Sequence, residues 1–395
     1  MSKYRILTLS HISSHGLHRL PAARYTVGKS IAEPDAILVR SHDMHEMDIP
    51  ASVRAIGRAG AGTNNIPVAR MSLRGVPVFN APGANANAVK ELVLAALLMA
   101  ARNIVPALRY VGDLDAAAPD LAKRVEDGKK QFAGVELPNR TLGIVGLGAI
   151  GGLVADTALK LGMKVIGFDP EITVEAAWRL PSNVRKAQTI EELLKQSDFV
   201  TLHVPLSDRT RRLIDAKRLA AMKSGAALLN FARDAIVDET AVVAALHAGT
   251  LKHFLCDFPS PALLGAPNVA ALPHLGASTD EAEENCAIMV VDQVRECLEN
   301  GTIANAVNFP NVEMPRESPF RVAIANANVP NMLGQISTSM AQAGLNIHNM
   351  VNKSRGEMAY TLVDVDSAID AGVISAIGAI AGVLSVRAIP LLDGG

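Results

Sequence analysis

The segment GLGAIG, residues 146–151, constrains the fold of this chain more than any other part of its sequence. It directly follows the apolar run TLGIV and opens a helix-forming stretch, and Asp169 closes the next apolar run, KVIGFD. Glycines at this spacing between a strand and a helix form a tight turn whose backbone N–H groups face a bound phosphate. The segment therefore predicts a β-α-β unit that binds the pyrophosphate of a dinucleotide.

Each glycine of this turn has its own predicted role. Gly146 permits the tight turn, Gly148 lets the backbone approach the pyrophosphate without a Cβ, and Gly151 allows the helix to pack closely on the strand. Asp169 is expected to accept hydrogen bonds from the ribose hydroxyls and to repel a 2′-phosphate, which favours NAD over NADP. A glycine-rich turn that binds no ligand is the alternative, and the complete β-α-β context argues against it.

The rest of the chain repeats the strand and helix alternation. From Thr141 the near-continuous apolar runs FVTLHV, ALLNFA and HFLCDF are separated by helical stretches, which is typical of a parallel sheet covered on both faces. Residues 1–100 show a similar alternation, and 395 residues suffice for two or three domains. The fold class predicted is α/β.

Composition limits the partners. Hydrophobic residues make up 49% and charged residues 19% of the chain, and the net charge is −1, so neither nucleic acid nor a membrane is expected as a partner. The three cysteines form neither a CxxC pair nor a cluster with histidine, which predicts no metal site and a reducing, cytoplasmic location. The N-terminus reads as a first strand and not as a signal peptide.

The pattern changes after residue 308. NFPNVEMPRESPF carries three prolines and alternating charges, which predicts a linker. The runs RVAIANA, NMLGQISTSMAQAG, NIHNMVNK, MAYTLVDV, AIDAGVISAIGAI and LSVRAIP then read as a βαββαβ unit.

Together with GLGAIG, the segments LHVPLSDRT, NFARDAIVDE and PHLGAST stand in the order and spacing of the D-isomer-specific 2-hydroxyacid dehydrogenases, which the chain resembles over approximately residues 1–310. Its C-terminal βαββαβ unit resembles an ACT regulatory domain. The resemblance implies a Rossmann-type doubly wound sheet inserted in a flavodoxin-like substrate domain. The expected segments are the first part of the substrate domain (1–100), the NAD-binding domain (101–284), the return helix and linker of the substrate domain (285–315) and the ACT-like domain (316–395).

The resemblance also implies the chemistry, which is NAD-dependent hydride transfer from a small phosphorylated 2-hydroxy acid. Arg233 is expected to hold the substrate carboxylate in a fixed fork, and His274 is expected to exchange the proton of the C2 hydroxyl. Alternatives are a glyoxylate or hydroxypyruvate reductase and a non-catalytic NAD-sensing protein. The predicted cofactor contacts are Gly146, Gly148, Ala149, Ile150, Gly151, Asp169, His203, Pro205, Phe231, Ala232, Asp257 and Gly276.

The sequence departs from the family at two positions near these residues. The glutamate that pairs with the histidine in the family falls on Ala262, so Asp257 assists His274, or Glu281 or Glu283 arrives from the following helix, or the imidazole works unpaired, which we favour. Asp234 replaces a glycine, which leads us to expect an ion pair with Arg233.

Substrate contacts are expected from four residues of the first domain: Arg40, Arg58, Gly62 and Asn85. In the ACT-like unit, Asn328 and Asn346 are candidate ligands for a serine effector, although Asn331 stands where that loop of the family has glycine. The alternative is an oligomerisation module that binds nothing. A homo-oligomer, a dimer or a tetramer, is expected in either case.

Overall fold

The computed structural model describes residues 3–391, which form two compact units. One unit runs up to Asn85 and resumes at Asp280, and the other is Ala86–Thr279. Both breaks fall at the start of a long helix, near the two crossovers that the family resemblance implies. The first two residues of the predicted segment 1–100 and the last four of 316–395 lie outside the described residues.

The first unit begins with a five-stranded parallel sheet in the order β2-β1-β3-β4-β5. Apolar side chains fill both faces, and all four residues of β3 are buried. This strand order is the flavodoxin-like order that was predicted. The elements are β1 (Tyr4–Leu9), α1 (Ser14–Leu17), β2 (Tyr25–Gly28), β3 (Ala36–Val39), β4 (Ala55–Arg58), α2 (Val68–Leu73) and β5 (Val78–Phe79).

The second unit is a seven-stranded parallel sheet in the order β12-β11-β10-β9-β6-β7-β8, with helices on both faces. The order reverses between β6 and β9, so the prediction of a doubly wound Rossmann-type sheet is confirmed. The elements are α3 (Ala86–Ala101), α4 (Ile104–Gly112), α5 (Leu121–Gly128), a 3-10 turn (Lys129–Phe132), β6 (Thr141–Val145), α6 (Ala149–Lys160), β7 (Lys164–Phe168), α7 (Val174–Arg179), β8 (Arg185–Lys186), α8 (Ile190–Gln196), β9 (Phe199–Leu202), α9 (Ala216–Ala221), β10 (Ala226–Asn230), a 3-10 turn (Asp234–Ile236), α10 (Glu239–His247), β11 (Leu251–Cys256), α11 (Pro261–Leu264) and β12 (Val269–Ala271).

The first unit continues with a long helix and an antiparallel sheet in the order β14-β15-β13-β16. Two helices connect the strands, so the βαββαβ prediction and the ACT-like assignment of this fold are confirmed. The elements are α12 (Asp280–Asn300), β13 (Phe320–Ala327), α13 (Met332–Gln342), β14 (Ile347–Arg355), β15 (Met358–Val365), α14 (Ala371–Gly378) and β16 (Val383–Ile389).

The segment predicted as a linker connects α12 with β13, and it is packed against a core instead of being surrounded by solvent. Phe309, Val312 and Met314 are buried in one hydrophobic cluster with residues of α12 and of the antiparallel sheet. The Phe309 ring lies edge-on to Tyr360 of β15, with 6.2 Å between ring centroids. Alternating apolar side chains between the prolines gain more from burial than a solvated linker would. The ACT-like sheet consequently shares a core with the five-stranded sheet.

A buried ion pair fixes the start of the ACT-like sheet to the end of α12. Arg321 donates from Nε to Asp364 Oδ1 at 2.6 Å and from Nη2 to Oδ2 at 2.8 Å, and the two side chains are 1% and 0% exposed. The same guanidinium donates to the carbonyl oxygens of Asn300, Met314 and Pro315. Burial, the largest single effect, raises the pKa of Asp364, but the hydrogen bonds from Arg321 and the Glu317 N–H, together with the charges of Arg321 and Arg316, lower it overall.

Among the described residues, no single helix is long and apolar enough to cross a membrane, and α3 with α4 reaches the required length only as a pair bent by 69°.

We expect Asp364→Asn to destabilise the first unit by about 3–5 kcal/mol, because Arg321 would remain buried without a counter-charge. Urea unfolding followed by circular dichroism measures this loss. Asp156→Asn is the matched control, because it removes the exposed pair between Asp156 and Lys160 and should cost less than about 1 kcal/mol. Equal losses in the two variants would contradict the importance of the buried pair.

Candidate active site

The glycine turn has the geometry required to bind a pyrophosphate. Gly146 has φ +91°, and a Cβ there would lie 2.5 Å from the His203 carbonyl oxygen. A Cβ at Gly151 would collide with the Gly146 carbonyl oxygen, whereas a Cβ at Gly148, the N-cap of α6, would have no atom of a described residue within 4 Å apart from its chain neighbours. The space beside Gly148 is therefore open to a ligand at the N-terminus of α6, whose first turn contains the predicted Ala149 and Ile150.

Asp169 follows β7 and ties the end of that strand to the glycine turn. Its Oδ2 accepts from the Leu147 N–H at 2.8 Å, and its Oδ1 accepts from the Glu171 N–H at 3.0 Å. The side chain is half-buried, and each carboxylate oxygen keeps a lone pair beyond these bonds. A carboxylate and an open anion-binding turn fit the ribose and the pyrophosphate of NAD.

His203 and Pro205 follow β9, next to β6 in the sheet. His203 Nε2 shares a hydrogen bond with Thr201 Oγ1 at 2.9 Å, while its buried Nδ1 has no partner among the described residues. Burial lowers the pKa of His203 to about 3, so the ring is neutral at physiological pH. The Pro205 carbonyl accepts from Thr210 Oγ1 at 2.6 Å, which closes the loop after β9.

Arg233 stands in the exposed turn after β10, and Asn230 holds the backbone of that turn. Asn230 Nδ2 donates to the Arg233 carbonyl at 2.8 Å, and Asn230 Oδ1 accepts from the Ala232 N–H at 3.2 Å. Arg233 Nη1 donates to the Ala232 carbonyl at 2.6 Å. The expected ion pair between Arg233 and Asp234 does not form among the described residues, because Asp234 begins a 3-10 turn. Phe231, one of the predicted cofactor contacts, directly follows Asn230 and is buried.

Asp257 follows β11 and holds the loop that carries His274. Its Oδ1 accepts from the Leu275 N–H at 2.9 Å, and its Oδ2 accepts from the Gly276 N–H at 2.7 Å. The residue is 1% exposed, and its own N–H donates to the Asn230 carbonyl at 3.3 Å. The Arg233 turn and the His274 loop are thus joined through two buried polar residues.

The His274 side chain is exposed, and its backbone is left-handed with φ +57°, which is unfavourable for a residue with a Cβ. Its N–H, shared between the carbonyl oxygens of Asp257 at 3.1 Å and Leu272 at 3.0 Å, holds this conformation. The only ring contact is with Phe258, edge-on at 5.2 Å between centroids, among the described residues of its unit.

The structure bears differently on the three possible states of His274: assisted by Asp257, assisted by Glu281 or Glu283, or unpaired. Assistance from Asp257 finds no support, because that carboxylate binds the loop N–H groups and, among the described residues, forms no hydrogen bond or ion pair with the imidazole. Ala262, the position of the family's glutamate, lies in α11. Residues 258–265 contain no Asp or Glu, so a shifted alignment with the family would not supply the missing carboxylate. Glu283 forms an ion pair with Arg40 within its own unit. An unpaired His274 stays our prediction, with Glu281 as the open alternative.

Sequence reasoning missed Asn230 and did not foresee that Asp257 binds the His274 loop, while the predicted cofactor contact of Asp257 stays a prediction. Asn230 is 1% exposed and stands at the end of an apolar strand, where a buried carboxamide requires partners. An asparagine at the end of an apolar strand could therefore have been recognised in the sequence as a residue that holds the neighbouring loop. The binding of Leu275 and Gly276 by Asp257 had no local signal, because the groups are separated by eighteen or more residues.

The four predicted substrate residues lie in the first unit. Arg40 follows β3, and its carbonyl oxygen accepts from Arg58 Nε at 3.1 Å. The Arg58 guanidinium covers Gly60, where a Cβ would lie 2.7 Å from Nη1. Gly62 is in the same loop, and Asn85 directly precedes α3. The role of these residues in substrate binding stays a prediction.

The candidate effector residues have structural partners. Asn328 Nδ2 donates to the Gly356 carbonyl at 3.0 Å, which ties the loop after β13 to the β14-β15 hairpin. The Asn346 N–H donates to Asp366 Oδ1 at 3.2 Å. Asn331, at the position where the family resemblance implies glycine, has φ +63°, a left-handed conformation that glycine adopts freely and that asparagine tolerates better than most residues.

Comparisons with known proteins agree with this geometry. Residues 94–276 match the model of the D-isomer specific 2-hydroxyacid dehydrogenase, NAD binding domain. D-3-phosphoglycerate dehydrogenase of Escherichia coli K12 is 31% identical over 415 residues, covering 98% of this chain and 97% of the relative. This chain belongs to the D-isomer specific 2-hydroxyacid dehydrogenase family. The predictions of that family and of NAD as the cofactor are confirmed.

Other relatives agree. D-3-phosphoglycerate dehydrogenase of Methanocaldococcus jannaschii is 34% identical over 85% of this chain, which spans 63% of the length of that relative. The crystal structure of cofactor (NAD+)-bound 3-phosphoglycerate dehydrogenase from Entamoeba histolytica superposes with a TM-score of 0.62 at 25% identity, covering 78% of this chain and 99% of that one.

We expect His203→Gln to reduce the loss of stability in mild acid. Because burial lowers the pKa of His203 from 6.5 to about 3, the unfolded chain binds its proton first, and native stability falls as the pH drops from 6.5 towards 3. Urea midpoints at pH 7.5 and pH 5 measure this difference, and replacement of the exposed His247 by Gln is the control. A wild-type pH dependence in His203→Gln would argue against a neutral, buried ring.

Proposed function

We propose that this protein oxidises D-3-phosphoglycerate to 3-phosphohydroxypyruvate with NAD, a reaction of serine biosynthesis. The observation that carries this proposal is the position of Arg233, His274 and the glycine turn, which follow β10, β12 and β6 of one parallel sheet. Carboxyl ends of parallel strands lie at one edge of a sheet, where open α/β sheets bind their ligands. The relatives of that name support the choice of substrate.

Arg233 would hold the substrate and polarise it. Its guanidinium is exposed and, among the described residues, forms a hydrogen bond only with the neighbouring Ala232 carbonyl, so it keeps N–H donors for a carboxylate. A fork that binds the substrate carboxylate and the C2 oxygen orients C2 for hydride loss. Asn230 acts as a positioning residue, because it fixes the backbone from which Arg233 extends.

His274 would take the proton of the C2 hydroxyl. NAD, when bound, accepts the hydride from C2, so the oxidation yields a C2 ketone, NADH and one proton. The neutral imidazole receives that proton and passes it to solvent, which the exposure of His274 permits. Asp257 does not exchange protons in this scheme but holds the loop from which the imidazole projects.

The phosphate of the substrate requires further cations, and Arg40 and Arg58 of the first unit are our candidates, with Gly62 and Asn85 at the carboxylate or hydroxyl. The Arg58 guanidinium is anchored to the Arg40 carbonyl, which orients it. Arg40 is already paired with Glu283, so its affinity for phosphate is reduced unless that pair opens.

The cellular setting is also part of the proposal. Three free, buried cysteines suit a reducing cytoplasm.

Leu108 and Val111 of α4 are 67% and 56% exposed, which favours a homo-oligomer that covers them. Serine remains our candidate effector of the ACT-like sheet, near Asn328 and Asn346.

We expect the protein to reduce NAD with D-3-phosphoglycerate and to prefer it over D-glycerate about 100-fold in kcat/KM, because a phosphate site left empty loses charge-assisted bonds. Arg233→Gln and His274→Gln should each lower kcat about 100-fold or more, with His247→Gln as the control. The assay follows NADH absorbance, with and without serine.

Two outcomes of that assay would contradict the proposal. Faster turnover of glyoxylate or hydroxypyruvate with NADH than of the phosphorylated acid would make the protein a reductase. NAD binding without turnover of any of these acids would make it an NAD-sensing protein.

We expect Asp169→Ser to raise the preference for NADP relative to NAD by about tenfold or more, because the carboxylate would no longer repel a 2′-phosphate. The ratio of kcat/KM for the two cofactors measures this change. Glu171→Gln, which removes a nearby carboxylate of the same loop, is the control. An unchanged ratio in Asp169→Ser would place the ribose elsewhere.

A further inference from the structure

A groove with a volume of about 780 Å³ runs along β16 within the first unit. Its walls are the segments 51–54 and 74–76 beside the five-stranded sheet, and residues of α14 and β16 from the ACT-like part. We refer to this feature as the β16 groove. Its volume lies in the range of small-molecule sites, roughly 300–1,000 Å³.

The charges that line the β16 groove are mainly positive. Three arginines, Arg54, Arg74 and Arg387, contribute to its walls, against a single carboxylate, Asp370. Asp370 is engaged in the structure, because its Oδ1 accepts from the Val373 N–H at 2.9 Å and caps α14. Because the whole chain has a net charge of −1, this positive excess is local.

Two of these guanidiniums have no counter-charge among the described residues. Arg74 donates to the carbonyl oxygens of Ile49 at 2.8 Å and Pro50 at 2.7 Å. Arg387 donates from Nη2 to the Cys297 carbonyl at 3.2 Å and to Cys297 Sγ at 3.6 Å, and it also bonds the Tyr360 side chain, so Arg74 is the more available of the two cations. Both side chains are half-buried, and no described carboxylate oxygen lies within 4.0 Å of either. Each guanidinium keeps N–H donors beyond these bonds.

Backbone donors and polar side chains add to this surface. β16 is an edge strand of its sheet, so the N–H groups on its outer side have no partner strand. Ser385 of β16 donates from Oγ to the Gly75 carbonyl at 3.1 Å, which connects the two walls. Half-buried cations without counter-ions are costly, and an anion in the groove would offset that cost.

We propose that the β16 groove binds a small anion with two or more negative charges, a phosphate or a dicarboxylate. Guanidinium pairs bind both groups through charge-assisted hydrogen bonds. Its residues are separate from those of the candidate active site, so the proposal does not depend on the proposed reaction. The anion would contact both walls and strengthen the attachment of the ACT-like sheet.

Titration calorimetry with inorganic phosphate and with malonate tests this proposal on the full chain. The titrations contain saturating NADH, so that the anions do not bind at the glycine turn. The variant Arg233→Gln shows whether the heat of binding comes from the candidate active site. We expect Arg74→Gln to weaken binding about tenfold or more. Ser375→Glu should have a similar effect, because Ser375 lines the groove and, in the described part of the chain, its Oγ bonds only the Ala371 carbonyl of its own helix.

Ser339→Glu is the matched control, because Ser339 makes the same bond on α13, to the Gln335 carbonyl, outside the groove. It and Arg233→Gln should bind as the wild type does, and the tighter of the two anions identifies the phosphate or carboxylate chemistry. Three outcomes would overturn the proposal: binding of neither anion to the wild type, undiminished binding to a folded Ser375→Glu, and equal weakening in Ser339→Glu. If self-association covered the groove, neither anion would bind to the wild type, which is the first of these outcomes.

Discussion

The hydrogen bonds of the buried Asp257 carboxylate hold together the edge of the Rossmann-type sheet that carries the candidate active site. Asp257 binds the N–H groups of Leu275 and Gly276, and through its own N–H it is joined to Asn230, which in turn fixes the Arg233 turn. Two loops that carry a cation and a proton acceptor are held by charge-assisted and amide hydrogen bonds in a dry environment, where such bonds are strongest.

This arrangement explains how the loop keeps its shape without the glutamate of the family. The family resemblance implies a glutamate that pairs with the histidine and stabilises its charged form. Here the orientation is supplied by the backbone: His274 is held in a left-handed conformation by hydrogen bonds from its own N–H, and Phe258 lies edge-on to its ring. The backbone and Phe258 thus take over the positioning of His274. Among the described residues of its unit, no group takes over the charge of the missing glutamate.

The C-terminal part is attached to the five-stranded sheet by burial and not by a tether. Phe309, Val312 and Met314 bury their side chains against α12 and β15, and the Arg321–Asp364 pair closes the junction. The ion pair requires its hydrogen bonds to three carbonyl oxygens, since a buried pair stabilises only when its remaining donors are satisfied. The β16 groove exists because this attachment brings cationic segments of both parts together.

The sequence by itself determined the order of strands and helices, the glycine turn with Asp169, and the positions of Arg233 and His274 at strand ends, because periodicity and turn chemistry are local properties. Only the tertiary structure decided that Asp257 holds the loop and not the imidazole, that Asp234 leaves Arg233 unpaired, and that the expected linker is part of a core. Each of these depends on groups that are distant in sequence or compete for one partner. Such choices are made by packing, which no local pattern encodes.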